Sequence, residues 1–149
     1  MARDSLYGRL SDEILLYIFL GFVLAVGAAR LFVLLSNGVN FALDGIYIHH
    51  LFFGLGIVML SGILSFVLYD AKNKELYNKY RKFLAGFFGF GAGLITDEAS
   101  LLVTVGQTYT LPNYYSSINF YSELSVVVIL FIALLLREVM RVRSIRQLR

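Results

Sequence analysis

The stretch FLAGFFGFGAGLITDE, residues 83–98, decides the fold of this chain. Gly89 and Gly93 are one helical turn apart, so they lie on one face of a helix. The stretch carries no charge until Asp97 and Glu98, which makes it apolar enough to lie in a membrane. It therefore predicts a membrane helix that packs closely on a neighbour and carries two carboxylates near one end.

The composition of the whole chain is also that of a membrane protein. Of its 149 residues, 58% are hydrophobic and 15% are charged, and the mean hydropathy is +0.74. A soluble domain usually has about 45–50% apolar and about 25% charged residues. The chain has no cysteine, which excludes disulfides, zinc–thiolate sites and thiol nucleophiles.

Four segments have, or nearly have, the length of about 20 apolar residues that a helix needs to cross the hydrocarbon core. They cover residues 14–35, 46–69, 83–105 and 122–136. We therefore expect an all-α polytopic membrane protein, an antiparallel four-helix transmembrane bundle in which residues 1–149 form a single transmembrane domain.

The distribution of Lys and Arg predicts the orientation, because basic connections stay on the cytoplasmic side. The connection 70–82 and the tail 137–149 are basic, and the N-terminal segment also carries arginine. The connections 36–45 and 106–121 contain neither Lys nor Arg. We expect a multi-pass protein of the cell membrane with both termini in the cytoplasm and anionic lipids at its cytoplasmic face. The basic tail is too short to suggest nucleic acid as a partner.

Small residues form rows on the second and third predicted helices. The rows contain Gly54 and Gly62 on one helix and Gly89 and Gly93 on the other. Small residues let membrane helices approach closely, so we expect these two helices to pack along their rows. Each row leads to an ionisable residue on the outer half of its helix, His50 in the second and Asp97 in the third, and these two residues should approach one another.

Ionisable residues within the predicted helices gather at one depth. At about 1.5 Å per residue, Asp97 lies about 21 Å along the third helix and Arg30 about 24 Å along the first. Both depths fall in the extracytoplasmic third of the membrane, where the second and fourth helices begin. Such residues usually face protein and have a partner. We expect a polar cluster formed by Arg30, Asp44, His49, His50, Asp97, Glu98 and Glu123.

Three functions are open for such a cluster. The first is a metal site in a metal-dependent, hydrolase-like membrane enzyme, with Zn, Fe or Mn as the divalent ion. Its ligands would be His49, His50, Asp97 and Glu98. Adjacent residues diverge by about 100° on a regular helix, which disfavours binding of one ion by both histidines. Neither His-Glu-x-x-His nor Glu-x-x-His occurs in the chain.

The second function is that of a small proton- or cation-coupled transporter, because histidine titrates near neutral pH. The third is structural: Arg30 needs a partner, and Asp97 or Glu98 would pair with it and fix the register of the helices. The third favours a non-catalytic integral membrane protein that is a component of a larger membrane assembly. Its partners would be other membrane subunits or further copies of itself, and the sequence identifies no catalytic residue.

Overall fold

A computed structural model describes residues 2–36, 41–43, 46–70, 74–104 and 110–147 of the chain. Most of them belong to four long helices: α1 Ala2–Ser36, α2 His50–Asp70, α3 Lys74–Thr104 and α5 Ser117–Gln147. The remaining elements are short: strands β1 Phe41–Leu43 and β2 Ile46–Ile48 before α2, and helix α4 Leu111–Tyr114 before α5.

Three helical segments in the described part of the chain are long and apolar enough to cross a membrane. They are Glu13–Ser36 of α1, His50–Tyr69 of α2 and Glu75–Thr104 of α3. A helix suits the hydrocarbon core because it satisfies its backbone hydrogen bonds internally. The prediction of a helical fold with helices able to cross a membrane is thereby confirmed in part, while the fourth crossing, the cell membrane as location and the orientation of the termini stay predictions.

Helix α3 lies between α1 and α2 and packs extensively on both. Gly89 and Gly93 face α1, where a Cβ added at Gly89 would overlap the carbonyl oxygen of Ile18. Gly91 faces α2, where an added Cβ would lie 2.7 Å from the carbonyl oxygen of Gly54. Two residues turn a helix by about 200°, so glycines 91 and 93 lie on opposite faces of α3.

The second and third predicted helices pack closely, as expected, but the two predicted rows do not meet each other. Gly54 packs on α3, but it meets Gly91, and the row with Gly89 and Gly93 packs on α1 instead. A Cβ added at Gly62 would have no atom within 4 Å, so no helix approaches it closely in the described part of the chain. Helix α3 carries small residues on two faces, and the sequence does not show which neighbouring helix lies on each face. The prediction therefore assigns the row with Gly89 and Gly93 to α2, although this row packs on α1.

The long helices alternate in direction. Arg30 in the second half of α1 lies beside Asp97 in the second half of α3, so these two helices are parallel. His50, the first residue of α2, lies beside the same carboxylate, so α2 is antiparallel to α3. Helix α5 starts at this end and runs back along α1, with the Phe131 ring 6.4 Å from that of Phe19. One end of the bundle thus gathers the ends of all four long helices.

Helix α2 begins at His50 and not at the predicted residue 46. Residues 46–48 form β2, which pairs antiparallel with β1 so that Phe41 lies opposite Ile48. The Ile-Tyr-Ile sequence of β2 is typical of a strand, because β-branched and aromatic residues favour extended backbone. Asp44 lies outside the described residues.

The other long helices extend beyond the predicted spans. Helix α3 begins at Lys74, before the predicted start at residue 83, and α5 continues past Arg137 to Gln147. Most of the predicted connection 70–82 is therefore helical. The ends of predicted spans are set by hydrophobicity, whereas a helix continues through polar residues once its backbone leaves the hydrocarbon.

Candidate functional site

The helix ends that meet at one end of the bundle carry seven polar side chains in mutual contact, and we call them the polar cluster. They are Arg30 from α1, His49 and His50 at the start of α2, Asp97 and Glu98 from α3, Tyr114 from α4 and Glu123 from α5. Six of the seven residues predicted from the sequence are here, and Tyr114 is the addition.

Asp97 is at the centre of the polar cluster and is 0% exposed. Its Oδ1 accepts a hydrogen bond of 3.0 Å from Nε of Arg30, and its Oδ2 lies 2.7 Å from Nε2 of His50. The hydroxyl of Tyr114 donates to the same Oδ2. Three donors from three helices thus converge on one buried carboxylate, and such charge-assisted bonds are stronger than neutral ones.

Glu98 joins α3 to the start of α2 and is also 0% exposed. Its Oε2 accepts a hydrogen bond of 2.9 Å from the backbone N–H of Leu51, in the first turn of α2. The first N–H groups of a helix lack partners within the helix, and a carboxylate there also interacts favourably with the helix dipole. Oε1 lies 3.2 Å from Nδ1 of His49 and 3.3 Å from Nδ1 of His50.

Arg30 connects the polar cluster to α4 and α5. Its guanidinium pairs with Asp97 and Glu123, and Nη1 donates a hydrogen bond of 2.9 Å to the carbonyl oxygen of Tyr114. The carbon at the centre of the guanidinium also lies 4.4 Å from the centre of the Tyr114 ring and 5.3 Å from that of Tyr115. A guanidinium and the face of an aromatic ring attract one another at these distances. One arginine therefore holds the short helix α4 against the bundle.

Tyr114 was missed in the sequence, although it is 0% exposed. Pro112 lies in the first turn of α4, where its fixed φ suits a helix start, and the N–H of Thr110 donates to the side chain of Asn113. This small helix turns the Tyr114 ring inward. Burial raises the pKa of its hydroxyl, and the neighbouring Asp97 carboxylate raises the pKa further, so the hydroxyl stays a donor. The available sequence signal was a proline within a tyrosine-rich connection.

Asn119 is a second residue that sequence reasoning missed. It is buried, its Nδ2 donates a hydrogen bond of 3.1 Å to the carbonyl oxygen of Tyr114, and its Oδ1 accepts one from Ser100. It therefore links α3, α4 and α5 directly behind the polar cluster. An asparagine near the start of a helix usually caps it, so its sequence position gave no sign of this role.

Charge in the polar cluster is unequal. Three carboxylates, those of Asp97, Glu98 and Glu123, face one obligate cation, Arg30. His50 has a carboxylate oxygen beside each ring nitrogen: Oδ2 of Asp97 lies 2.7 Å from Nε2, and Oε1 of Glu98 lies 3.3 Å from Nδ1. One imidazole at the start of α2 therefore contacts two carboxylates of α3.

The four predicted metal ligands lie together, but as pairs around two carboxylates. His49 contacts Glu98, and His50 lies between Glu98 and Asp97. Over residues 2–36, 41–43, 46–70, 74–104 and 110–147, no group of three or more His, Cys, Asp or Glu residues is arranged to hold a metal ion. The geometry gives no support to the predicted metal centre.

The chain was compared with protein-family models, with curated proteins and with solved structures, and none of them matches it.

Proposed function

We propose that this chain is a non-catalytic integral membrane protein that crosses the membrane four times and works as a component of a larger membrane assembly. Both termini would lie in the cytoplasm and the polar cluster near the extracytoplasmic surface. The uncharged run between Glu123 and Arg137 in α5 supports a fourth crossing, and the basic residues of the connection 70–82 and of the C-terminal tail support this orientation.

The observation that carries the structural role is that the groups of the polar cluster are engaged with one another. Asp97 accepts from Arg30 and Tyr114, and Arg30 also pairs with Glu123. Glu98 binds the start of α2. A cluster whose charges hold five helices together acts as a clasp, whereas a catalytic site needs a group that is directed at a substrate.

Open positions on the helix surfaces support assembly with other subunits. A Cβ added at any of three glycines would have no atom within 4 Å. These positions are Gly27 of α1 and Gly56 and Gly62 of α2. Within the part of the chain that the structure describes, helix α2 packs extensively only on α3. Small residues on a lipid-facing surface leave room for a further membrane helix to approach.

Native mass spectrometry of the protein, extracted from its own membrane in a mild detergent, tests the assembly. The expected result is a complex heavier than one chain of 16.8 kDa by at least one further protein subunit. A mass of one chain with lipid only would contradict the assembly. The proposed topology is tested separately, by cysteine labelling.

A second candidate function is proton or cation handling, and the excess of carboxylates over Arg30 favours it. The bridge from Asp97 through His50 to Glu98 supports this candidate, because imidazole and carboxylate groups in contact are the kinds of group that relay protons. In liposomes that contain the purified protein and a pH-sensitive dye, a transporter would dissipate an imposed pH gradient faster than the His50→Gln variant. Equal rates for both proteins and for empty liposomes would exclude this candidate.

A further inference from the structure

Arg81, near the start of α3, is a buried arginine at the end of the bundle opposite the polar cluster. It is 9% exposed, and its Nε and Nη2 atoms are buried without a hydrogen-bond partner in the described part of the chain. A guanidinium stays charged at any physiological pH, and a buried charge without a partner is unfavourable. These two nitrogens therefore mark a place where an anion would stabilise the protein.

The charged side chains near Arg81 in the sequence and on α1 do not pair with its Nε and Nη2 atoms. Glu13 of α1 pairs with Lys82, the residue after Arg81. The ammonium of Lys79 is exposed and lies 5.4 Å from the centre of the Tyr80 ring. Among the described residues, no carboxylate forms an ion pair with Arg81.

Arg81 also lies at the depth of lipid headgroups. The candidate span of α1 begins at Glu13; that of α3 begins at Glu75, but its uncharged run begins only at Phe83. The ion pair between Glu13 and Lys82 therefore marks the boundary of the hydrocarbon core, and polar headgroups lie directly outside that core. Arg81 is one residue further out and is within reach of a headgroup phosphate.

We propose that Arg81 binds a phosphate group, supplied by an anionic phospholipid headgroup or by a soluble phosphate. Nε and Nη2 lie on one edge of the planar guanidinium, and two such donors match two phosphate oxygens. Because both nitrogens are buried, binding requires the guanidinium to turn outward toward the exposed part of the residue. The site does not depend on the proposed assembly, and only its assignment to the cytoplasmic leaflet rests on the proposed topology.

Three variants test the site: Arg81→Gln, Arg81→Lys and, as a matched control, Lys79→Gln. Lys79 is an exposed basic residue on the same turn region of α3, so its removal changes the net charge equally. Each protein is incubated with phosphatidylglycerol in detergent, and native mass spectrometry counts the lipids that remain after dilution. In parallel, lipid-free protein is titrated with inorganic phosphate at constant ionic strength, and its thermal unfolding is followed.

If the lipid supplies the phosphate, Arg81→Gln retains about tenfold less phosphatidylglycerol than the wild type, and Lys79→Gln stays within about twofold. If a soluble phosphate is the ligand, inorganic phosphate raises the unfolding temperature of the wild type and of Lys79→Gln but not that of Arg81→Gln. Arg81→Lys keeps the charge without the two-donor edge, so it should bind more weakly than the wild type.

Three results would overturn the proposal. Equal lipid loss in Arg81→Gln and Lys79→Gln would indicate a diffuse charge effect. Wild-type binding by Arg81→Lys would show that a point charge suffices, and this variant also serves if Arg81→Gln does not fold. Loss of a bound protein subunit from Arg81→Gln, with lipid and phosphate binding unchanged, would identify a partner's carboxylate as the anion.

Discussion

Arg30 and Asp97 are 67 positions apart in the chain, and Nε of one lies 3.0 Å from Oδ1 of the other. They belong to α1 and α3, whose backbones approach closely at Gly89 and Gly93. The ion pair is therefore formed at one end of a seam of small residues. Close backbone packing and buried charge act together here, because the seam fixes the distance at which the two side chains meet.

Replacing Asp97 by Asn should strongly destabilise the protein, because it removes the buried carboxylate that accepts hydrogen bonds from both Arg30 and Tyr114. We expect a loss of about 3 kcal/mol or more in the free energy of unfolding, measured by denaturation in detergent. Glu75→Gln is the matched control, since Glu75 is an exposed carboxylate on the same helix, and it should cost less than about 0.5 kcal/mol. Equal stability of Asp97→Asn and the wild type would contradict the clasp.

Tyr114→Phe should destabilise the protein by about 1–3 kcal/mol, because it removes a hydroxyl that donates to a buried carboxylate and keeps the ring beside Arg30. Tyr121→Phe is the control, since Tyr121 is 65% exposed, and we expect no measurable change. Equal effects of the two substitutions would show that the Tyr114 hydroxyl contributes nothing specific.

The raised pKa of Tyr114 predicts a loss of stability in alkaline solution. Burial and the Asp97 carboxylate raise the pKa in the folded protein, whereas in the unfolded chain the pKa is about 10. The stabilisation from the neutral hydroxyl is complete below the unfolded pKa and declines as the pH rises above it. Thermal unfolding followed between about pH 8 and pH 11 should show a steeper decline for the wild type than for Tyr114→Phe. Parallel declines would contradict the assignment.

Glycine-to-alanine substitutions should separate the seam between α1 and α3 from the open surface of α2. Gly89→Ala places a Cβ against the backbone of Ile18, so we expect a loss of about 1–3 kcal/mol. Gly56→Ala has open space around the added methyl group and should be neutral or stabilising by up to about 1 kcal/mol, because alanine favours helix. Denaturation in detergent measures both, and a neutral Gly89→Ala would show that the helices are not so close.

Cysteine labelling should test the proposed orientation, because the chain has no cysteine of its own. Asn78→Cys lies near the start of α3 and Ser117→Cys at the start of α5, and both positions are exposed. A membrane-impermeant maleimide added to intact cells should label Ser117→Cys only, and Asn78→Cys should react after the membrane is opened. The reverse pattern would place the polar cluster on the cytoplasmic side.

The polar cluster was predictable in part because hydrocarbon restricts where ionisable groups can lie. Depth along regular helices places Arg30, His50 and Asp97 at one level, and an arginine in a membrane helix needs an acidic partner. The depth of a residue along its helix does not specify which other residue it contacts. The division of His50 between Asp97 and Glu98 follows from the start of α2, which lies later than its hydrophobicity indicates.

The contribution of α4 was beyond sequence reasoning for another reason. Tyr114 lies in α4, a helix of four residues that is too short to show periodicity, and Asn119 lies in the first turn of α5, before its apolar run begins. The glycines of α3 show a related limit. Periodicity identifies Gly89 and Gly93 as one row, but a helix with small residues on two faces gives no indication of which neighbour occupies each face.

The central position of α3 has a consequence for biosynthesis. Helices α1 and α2 leave the ribosome first, yet each of them packs mainly on α3 and scarcely on the other. We therefore expect the first two helices to associate only weakly until the third is present, because the histidines at the start of α2 contact carboxylates that α3 supplies. A chain truncated before residue 74 would lack α3, the helix on which both α1 and α2 pack.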